Sequence, residues 1–383
     1  MKEILECKIC VQNNEFDNDI TFNKDGVCNY CEEVKPRYES INDNKQKLKD
    51  LLLKIKSEGK NKKYDCIIGM SGGVDSSYVA HLCKIYELKP LVVHFDNGWN
   101  SELAVDNVYK IINKNNFELF TLVVDWEEFK DLQRAFIKSH VIDIEVPTDH
   151  AIMGSLVRLS KKHNIKYMIS GANIATESGM PPSWSWRKAD WINIKSIHKE
   201  FGKIELKTFP KYSSFQLFFD RLFSQFSQER IDILDYIDYR KVDALKILKE
   251  EYDWREYGGK HYESLFTKFY QAYMLPNKFN VDKRIAHLSS LIRNKEITKD
   301  EALKELSEPL YDPNELEKDK EYFCKKLDFD LEEFDSIMKE DPRPHTYYNS
   351  DEKYFEALKK IMGMLKKMGI TRTRLKKLFG IKV

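Results

Sequence analysis

Long apolar runs are missing from this chain of 383 residues. None approaches the roughly 18 residues of a membrane-spanning helix, and Met1–Cys10 holds too short an apolar stretch for a secretory signal. A charge of one sign is missing too, since 63 basic residues nearly cancel 62 acidic ones. No global field therefore draws the chain to nucleic acid or to an anionic membrane. The expectation is a cytoplasmic globular protein with neither as a partner. Also lacking is a cysteine elbow of the G-x-C-x-G kind, and Met1 is followed by lysine, so no glutamine-hydrolysing nucleophile is evident. The length leaves room for two or three domains of about 100–200 residues.

Cysteine is present but unevenly spread. Four of the seven fall at Cys7, Cys10, Cys28 and Cys31, a C-x2-C-x17-C-x2-C pattern. Each C-x2-C pair can turn two sulfurs toward one tetrahedral ion, so residues 1–40 read as a zinc knuckle or ribbon. The stretch between the pairs is too polar to fold on a core of its own, and metal would supply the folding energy. Two disulfides are the alternative, which a reducing cytoplasm disfavours. Four thiolates close the coordination sphere, which makes the ion structural. Cys66 and Cys83 read as small buried hydrophobes.

After a linking helix that ends at Gly59, the apolar period changes. "YDCIIGM", "KPLVVHFDNGW", "FELFTLVVDWEEF" and "HNIKYMISGANIATESG" are short apolar runs, each ending in small polar residues and separated by helical stretches. Strands alternating with helices predict an α/β fold with a parallel sheet, over residues 41–208, and ligands bind at the carboxyl ends of such strands. The first run leads into "SGGVDSS", Ser71–Ser77. It resembles a phosphate loop but carries no Walker lysine. Gly72 and Gly73 let the backbone approach an anion, and a helix starting near Val74 aims free N–H groups at it. Asp75 would repel phosphate unless a cation intervenes, so Mg²⁺ is expected there. A plain tight turn is the bland alternative.

"SGGVDSS" resembles the pyrophosphate loop of the N-type ATP pyrophosphatases, which cleave ATP between the α and β phosphates and place AMP on a substrate oxygen. The resemblance implies ATP contacts from Ser71, Gly72, Gly73, Val74, Asp75, Ser76 and Ser77, with His94, Asp96 and Asn97 near the adenosine and Gly171 at the fourth strand end. Asp96-Asn97-Gly98 also suits an ordinary turn. The cysteine pairs, "HFDNGWNSELAVDNV", "VPTDHAI", "SGANIATE", "YGGKHYE" and "DKRIAHLSSLI" extend the likeness over almost the whole chain. Together they resemble the sugar N-acetyl amidotransferases of bacterial surface-polysaccharide (O-antigen, lipopolysaccharide) and nonulosonate biosynthesis. These convert an acetamido group on a nucleotide-activated sugar into an acetamidino group. The segment "SGANIATESGMPPSWSWRKADW" is expected over the sugar, with Asn173, Thr176, Glu177 and Arg187 as contacts and Trp184, Trp186 and Trp191 as packing faces. A packed surface loop would look the same.

Beyond about residue 210 the periods are helical, predicting a helical region over 209–383 that completes the site. The resemblance implies Lys260 and Arg284 as catalytic cations facing the pyrophosphate, although charges on helices are commonly just solvated. His261 and Glu263 are weaker candidates. The missing glutaminase implies a separate subunit that supplies ammonia. A homo-oligomer stays open. The rival within the superfamily is a tRNA-modifying thiolase, which would call for further reactive cysteines or an iron–sulfur cluster and a basic surface, none of them visible here.

Overall fold

A computed structural model describes residues 3–39, 41–222, 228–257 and 263–368. Lys260 and His261 lie outside the described residues. The four expected strands are β1 (Cys66–Gly69), β2 (Pro90–Asp96), β3 (Glu118–Val123) and β4 (Tyr167–Ser170). A fifth, β5 (Glu229–Asp232), joins them in one parallel sheet of order β3-β2-β1-β4-β5.

β5 corrects the expectation that residues beyond 209 are helical throughout. It is an edge strand of four residues, "ERID", in which Ile231 alone is buried. An edge strand that buries one side chain leaves no apolar run to read. Helices otherwise dominate the C-terminal region, from α10 (Lys241–Tyr252) to α17 (Glu352–Lys367).

Because β1 is buried on both sides, its successive residues serve opposite faces. Ile68 packs toward Val79, Ile111 and Leu248, on α3 (Val74–Ile85), α4 (Glu102–Asn115) and α10. Ile67 packs toward Leu156 and Leu159 of α6 (Val146–Lys162). The connections put the amino ends of α3 and α6 at the carboxyl edge of the sheet, where the loop also emerges. A separate aromatic core, with Trp99, Phe266, Phe269, Phe323 and Phe334, joins that edge to the C-terminal helices. Trp99 lies 5.4 Å from Phe266 and 5.6 Å from Phe323 between ring centres.

Two buried histidines contribute to the fold. His150 stacks on Tyr212 at 4.4 Å, with Trp191 and Phe209 close by, and His345 stacks on Trp186 at 4.9 Å. Burial drives both imidazoles down to about 4. Both are therefore neutral in the folded protein, while the unfolded chain takes up protons below about 6.5. Stability present above that pH is lost as pH falls from about 6.5 to 4, by about 3 kcal/mol per histidine. A steep drop in melting temperature across this window is expected, and a flat profile would show that neither histidine is held neutral.

Candidate active site

The serine–glycine loop is held by its own hydroxyls and by the chain that follows β5. Ser71 Oγ accepts from Gly73 N at 3.2 Å, and Ser76 Oγ donates to Gly73 O at 3.1 Å. Gly72 adopts φ +91°, and its carbonyl accepts from Trp254 Nε1 at 3.2 Å and Tyr257 Oη at 2.8 Å. Burial, and then the charges of Glu263 and Asp75, push the Tyr257 phenol upward, so it stays a donor. α3 begins after Gly73 with no side-chain cap, which leaves its first N–H groups for an anion.

A β-carbon on Gly72 would sit 2.5 Å from Ala104 O in a left-handed conformation, whereas one on Gly73 would meet only side-chain atoms at 3.2–3.5 Å. Gly72→Ala is expected to destabilise the fold by about 1–3 kcal/mol. Gly73→Ala should leave the melting temperature nearly unchanged and weaken nucleotide binding instead. Thermal melts with nucleotide titrations separate the two.

The loop forms one wall of a cavity of about 450 Å³. Ser71, Gly73, Val74, Asp75, Ser76 and Gly171 line one side. Gly171 belongs there because a β-carbon would press on the Asp75 and Ser76 backbone at 3.1–3.3 Å. Thr176 and Glu177 continue the wall, and Gln271, Lys283, Arg284 and His287 from the C-terminal helices face them. The Asp75 carboxylate accepts from the Tyr239 phenol on one oxygen and from Thr176 Oγ1, at 3.4 Å, on the other. Burial and the Asp75 charge raise the Tyr239 phenol well above its ordinary value. It therefore keeps its proton and donates to the Asp75 carboxylate, whose hard oxygens suit a hard cation beside phosphate.

Several expected contacts lie elsewhere. Ser77 is fully buried within α3, away from the cavity wall. His94 Nδ1 is 2.9 Å from Met70 O, so the ring supports the loop from beneath. Asp96 accepts from Gly98 N and Asn97 from Trp99 N, which is the ordinary turn. Asn173 caps the short helix Ile174–Glu177 by accepting from Thr176 N at 2.8 Å.

Two arginines differ from their expected roles. Arg284 lines the cavity, yet its N–H groups go to Asp282 (2.8–3.2 Å) and to the carbonyls of Glu305, Leu306 and Glu308 at the end of the helix Lys299–Ser307. All five guanidinium donors are used there, so none is left for pyrophosphate. Arg187 pairs with Asp351 at 2.5 Å and Asp190 at 3.3 Å, anchoring the C-terminal segment. The three tryptophans are likewise packed. Trp184 donates to Phe16 O at 3.2 Å, and Trp186 and Trp191 stack on His345 and His150. Sequence reasoning missed Tyr239, which sits in an unremarked "IDY", and Trp254, three residues ahead of the "YGG" signal.

The four N-terminal cysteines converge. Their sulfurs lie within 4.8 Å of one another, with pairs at 3.5, 3.8 and 3.9 Å. That is too far for disulfides of about 2.05 Å and fits a tetrahedral ion with metal–sulfur bonds of about 2.3 Å. The cluster is wired to the cavity wall. Arg293 Nη1 lies 3.8 Å from Cys10 Sγ and Cys31 Sγ, while Nη2 donates to Ser178 O at 2.7 Å, one residue past Glu177. Gln12 Nε2 donates to the next carbonyl, Gly179 O.

Fold and site together set the serine–glycine loop at the end of the central strand of a parallel sheet, the arrangement expected from its resemblance to the pyrophosphate loop of the N-type ATP pyrophosphatases. Residues 263–362 match the family model described as the LPS biosynthesis protein WbpG-like, C-terminal domain. No curated protein matches the chain. Among solved structures, NMN synthetase from Francisella tularensis aligns at 16% identity over 60% of this chain and 92% of its own, with a TM-score of 0.27. The NH3-dependent NAD synthetase from Campylobacter jejuni gives 18% identity over 55% and 83%, with a TM-score of 0.27. The tRNA thiolase NcsA from Methanococcus maripaludis, solved with its iron–sulfur cluster, gives 13% over 76% and 87%, with a TM-score of 0.33. None is close enough to speak to the reaction. Among the described residues, no helix is long and apolar enough to cross a membrane.

Proposed function

We propose that the chain is an ATP-dependent amidotransferase that converts the acetamido group of a nucleotide-activated sugar into an acetamidino group, in lipopolysaccharide or related surface-glycan synthesis. One observation carries the reading. The cavity is walled on one side by the pyrophosphate-type loop and on the other by Gln271, Lys283 and His287, which lie inside the WbpG-like region.

An amide oxygen is a weak nucleophile and a poor leaving group. Its attack on the α phosphate of ATP breaks the α–β bond, releases pyrophosphate and leaves an imidate carrying AMP. Ammonia then adds to the imidate carbon, and AMP departs with the former amide oxygen. The loop amides and the uncapped start of α3 would receive the departing pyrophosphate, and Asp75 would hold Mg²⁺, which neutralises its charge. The cysteine cluster would hold Zn²⁺ as a structural ion. Ammonia would come from a separate glutaminase, and the enclosed site would keep water from the imidate.

The test is mass spectrometry of UDP- and CMP-linked acetamido sugars incubated with protein, Mg²⁺-ATP and ammonium at mildly alkaline pH. A product lighter by the difference between O and NH, formed with equimolar AMP, is expected. AMP release only with tRNA and a sulfur donor, every sugar unchanged, would instead identify a thiolase.

A further inference from the structure

The last described helix carries an apolar face that the described chain leaves mostly uncovered. α17 is held at its start, where Arg187 donates to Asp351 at 2.5 Å and lies 4.3 Å over the Phe355 ring. Further on it stands clear of the body. Every described side chain from Lys359 to Met368 is exposed, and a β-carbon on Gly363 would meet no described atom within 4 Å. At 3.6 residues per turn, Tyr354, Ile361, Met364 and Met368 share one face, and they are 58, 46, 63 and 68% exposed. A second helix, Ser214–Leu222, adds to this apolar surface. Its Phe215 meets Tyr354 at 5.8 Å between ring centres, and Phe219, one turn on, is exposed. Helices of this length are marginal in water and gain most of their stability by packing such a face. The stripe therefore calls for a cover from outside the described chain.

Charge says which cover fits. Lys353, Lys360 and Lys367 recur at seven-residue spacing, which sets them in a row along one border of the stripe. The two acids of the helix, Glu352 and Glu356, fall on the side away from it, where Lys359 pairs with Glu356 at 2.8 Å. From 357 to 383 the sequence holds nine lysines and arginines and no acid, which leaves 54 of the 63 basic residues to face all 62 acids elsewhere. The near cancellation over the whole chain thus hides a basic end on an acidic body. A second copy seated on the stripe would set two lysine rows together with few acids to answer them. An anionic bilayer answers both features, because its headgroups take the lysines, whose stems can lie along apolar surface, while its acyl boundary takes the stripe.

We propose that α17 docks the protein on the surface of an anionic lipid bilayer, lying in the headgroup plane with Ile361, Met364 and Met368 turned inward and the lysine row at the level of the lipid charges. The helix lies on the membrane and does not cross it. This docking is independent of the reaction proposed for the cavity.

The experiment is co-sedimentation of the full chain with vesicles of phosphatidylcholine alone and of phosphatidylcholine containing phosphatidylglycerol, with light scattering of the lipid-free protein alongside. Wild-type protein should bind the anionic vesicles at least about tenfold more tightly than the neutral ones, and high salt should weaken that binding. The double variants Lys360→Glu with Lys367→Glu, and Ile361→Ser with Met364→Ser, should each lose about tenfold or more in vesicle binding. Both change exposed side chains, so both should keep the wild-type melting temperature. Wild-type protein that ignores anionic vesicles, or binds them as well after charge reversal, would overturn the proposal. Loss on charge reversal with full binding in the serine variant would reduce the contact to electrostatics and overturn docking through the stripe. A lipid-free dimer that the serine variant dissociates, with no vesicle binding by wild type, would give the stripe to a second copy instead.

Discussion

Asp75→Asn should retain the fold and lose roughly 10³-fold in the rate of AMP formation, the upper range for removing one group that stabilises developing charge. The substitution keeps shape and hydrogen-bonding reach. It removes the negative charge that Tyr239 and Thr176 orient from either side, and with it the attraction for a hard cation beside the departing pyrophosphate. Raising Mg²⁺ should recover part of the loss, because a weakened metal site is filled by mass action. Rates taken as a function of Mg²⁺ check this. Asp75→Asn turning over at the wild-type rate at every Mg²⁺ concentration would remove Asp75 from the reaction.

The second large effect is expected at a distance from the loop. Cys28→Ser breaks a tetrathiolate set whose metal supplies about 10–16 kcal/mol to small domains of this kind. Metal content should fall from stoichiometric to near zero. Because Arg293 spans the sulfurs and Ser178 O, and Gln12 reaches Gly179 O, the disturbance should not stay in the N-terminal module. Hydrogen exchange should accelerate in residues 174–180, beside Thr176 and Glu177, while β1 and β2 keep their protection. Activity should fall with it. Normal exchange at 174–180 in metal-free protein would show that the two regions are uncoupled.

How much of this was legible in the sequence differs by region, for physical reasons. The strands β1, β2 and β4 could be read because each is a buried run that ends in small polar residues, and β3, an edge strand with no fully buried residue, because "LFTLVV" is still an apolar run. β5 could not, since an edge strand with one buried side chain has no such run. The loop was legible because glycine and hydroxyl spacing is local chemistry, and the metal cluster because four thiolates at that spacing have few other uses. The far wall was not. Whether Arg284 faces a ligand or caps a helix depends on where Glu305 to Glu308 end, some twenty residues away in the chain. Trp186 offers the same aromatic face to a sugar or to His345, and folding gave it to His345. Tyr239 reaches Asp75 only because β5 joins the sheet and carries the following chain back across the loop.

The central claim is that AMP is placed on the amide oxygen of an acetamido sugar. Its most direct test uses the cognate sugar labelled with heavy oxygen in the acetamido carbonyl, with Mg²⁺-ATP and ammonium. The account predicts that the label leaves the sugar and appears in the phosphate of AMP, matching the acetamidino product in amount. Label retained in the sugar, or released as water while AMP stays unlabelled, would contradict it.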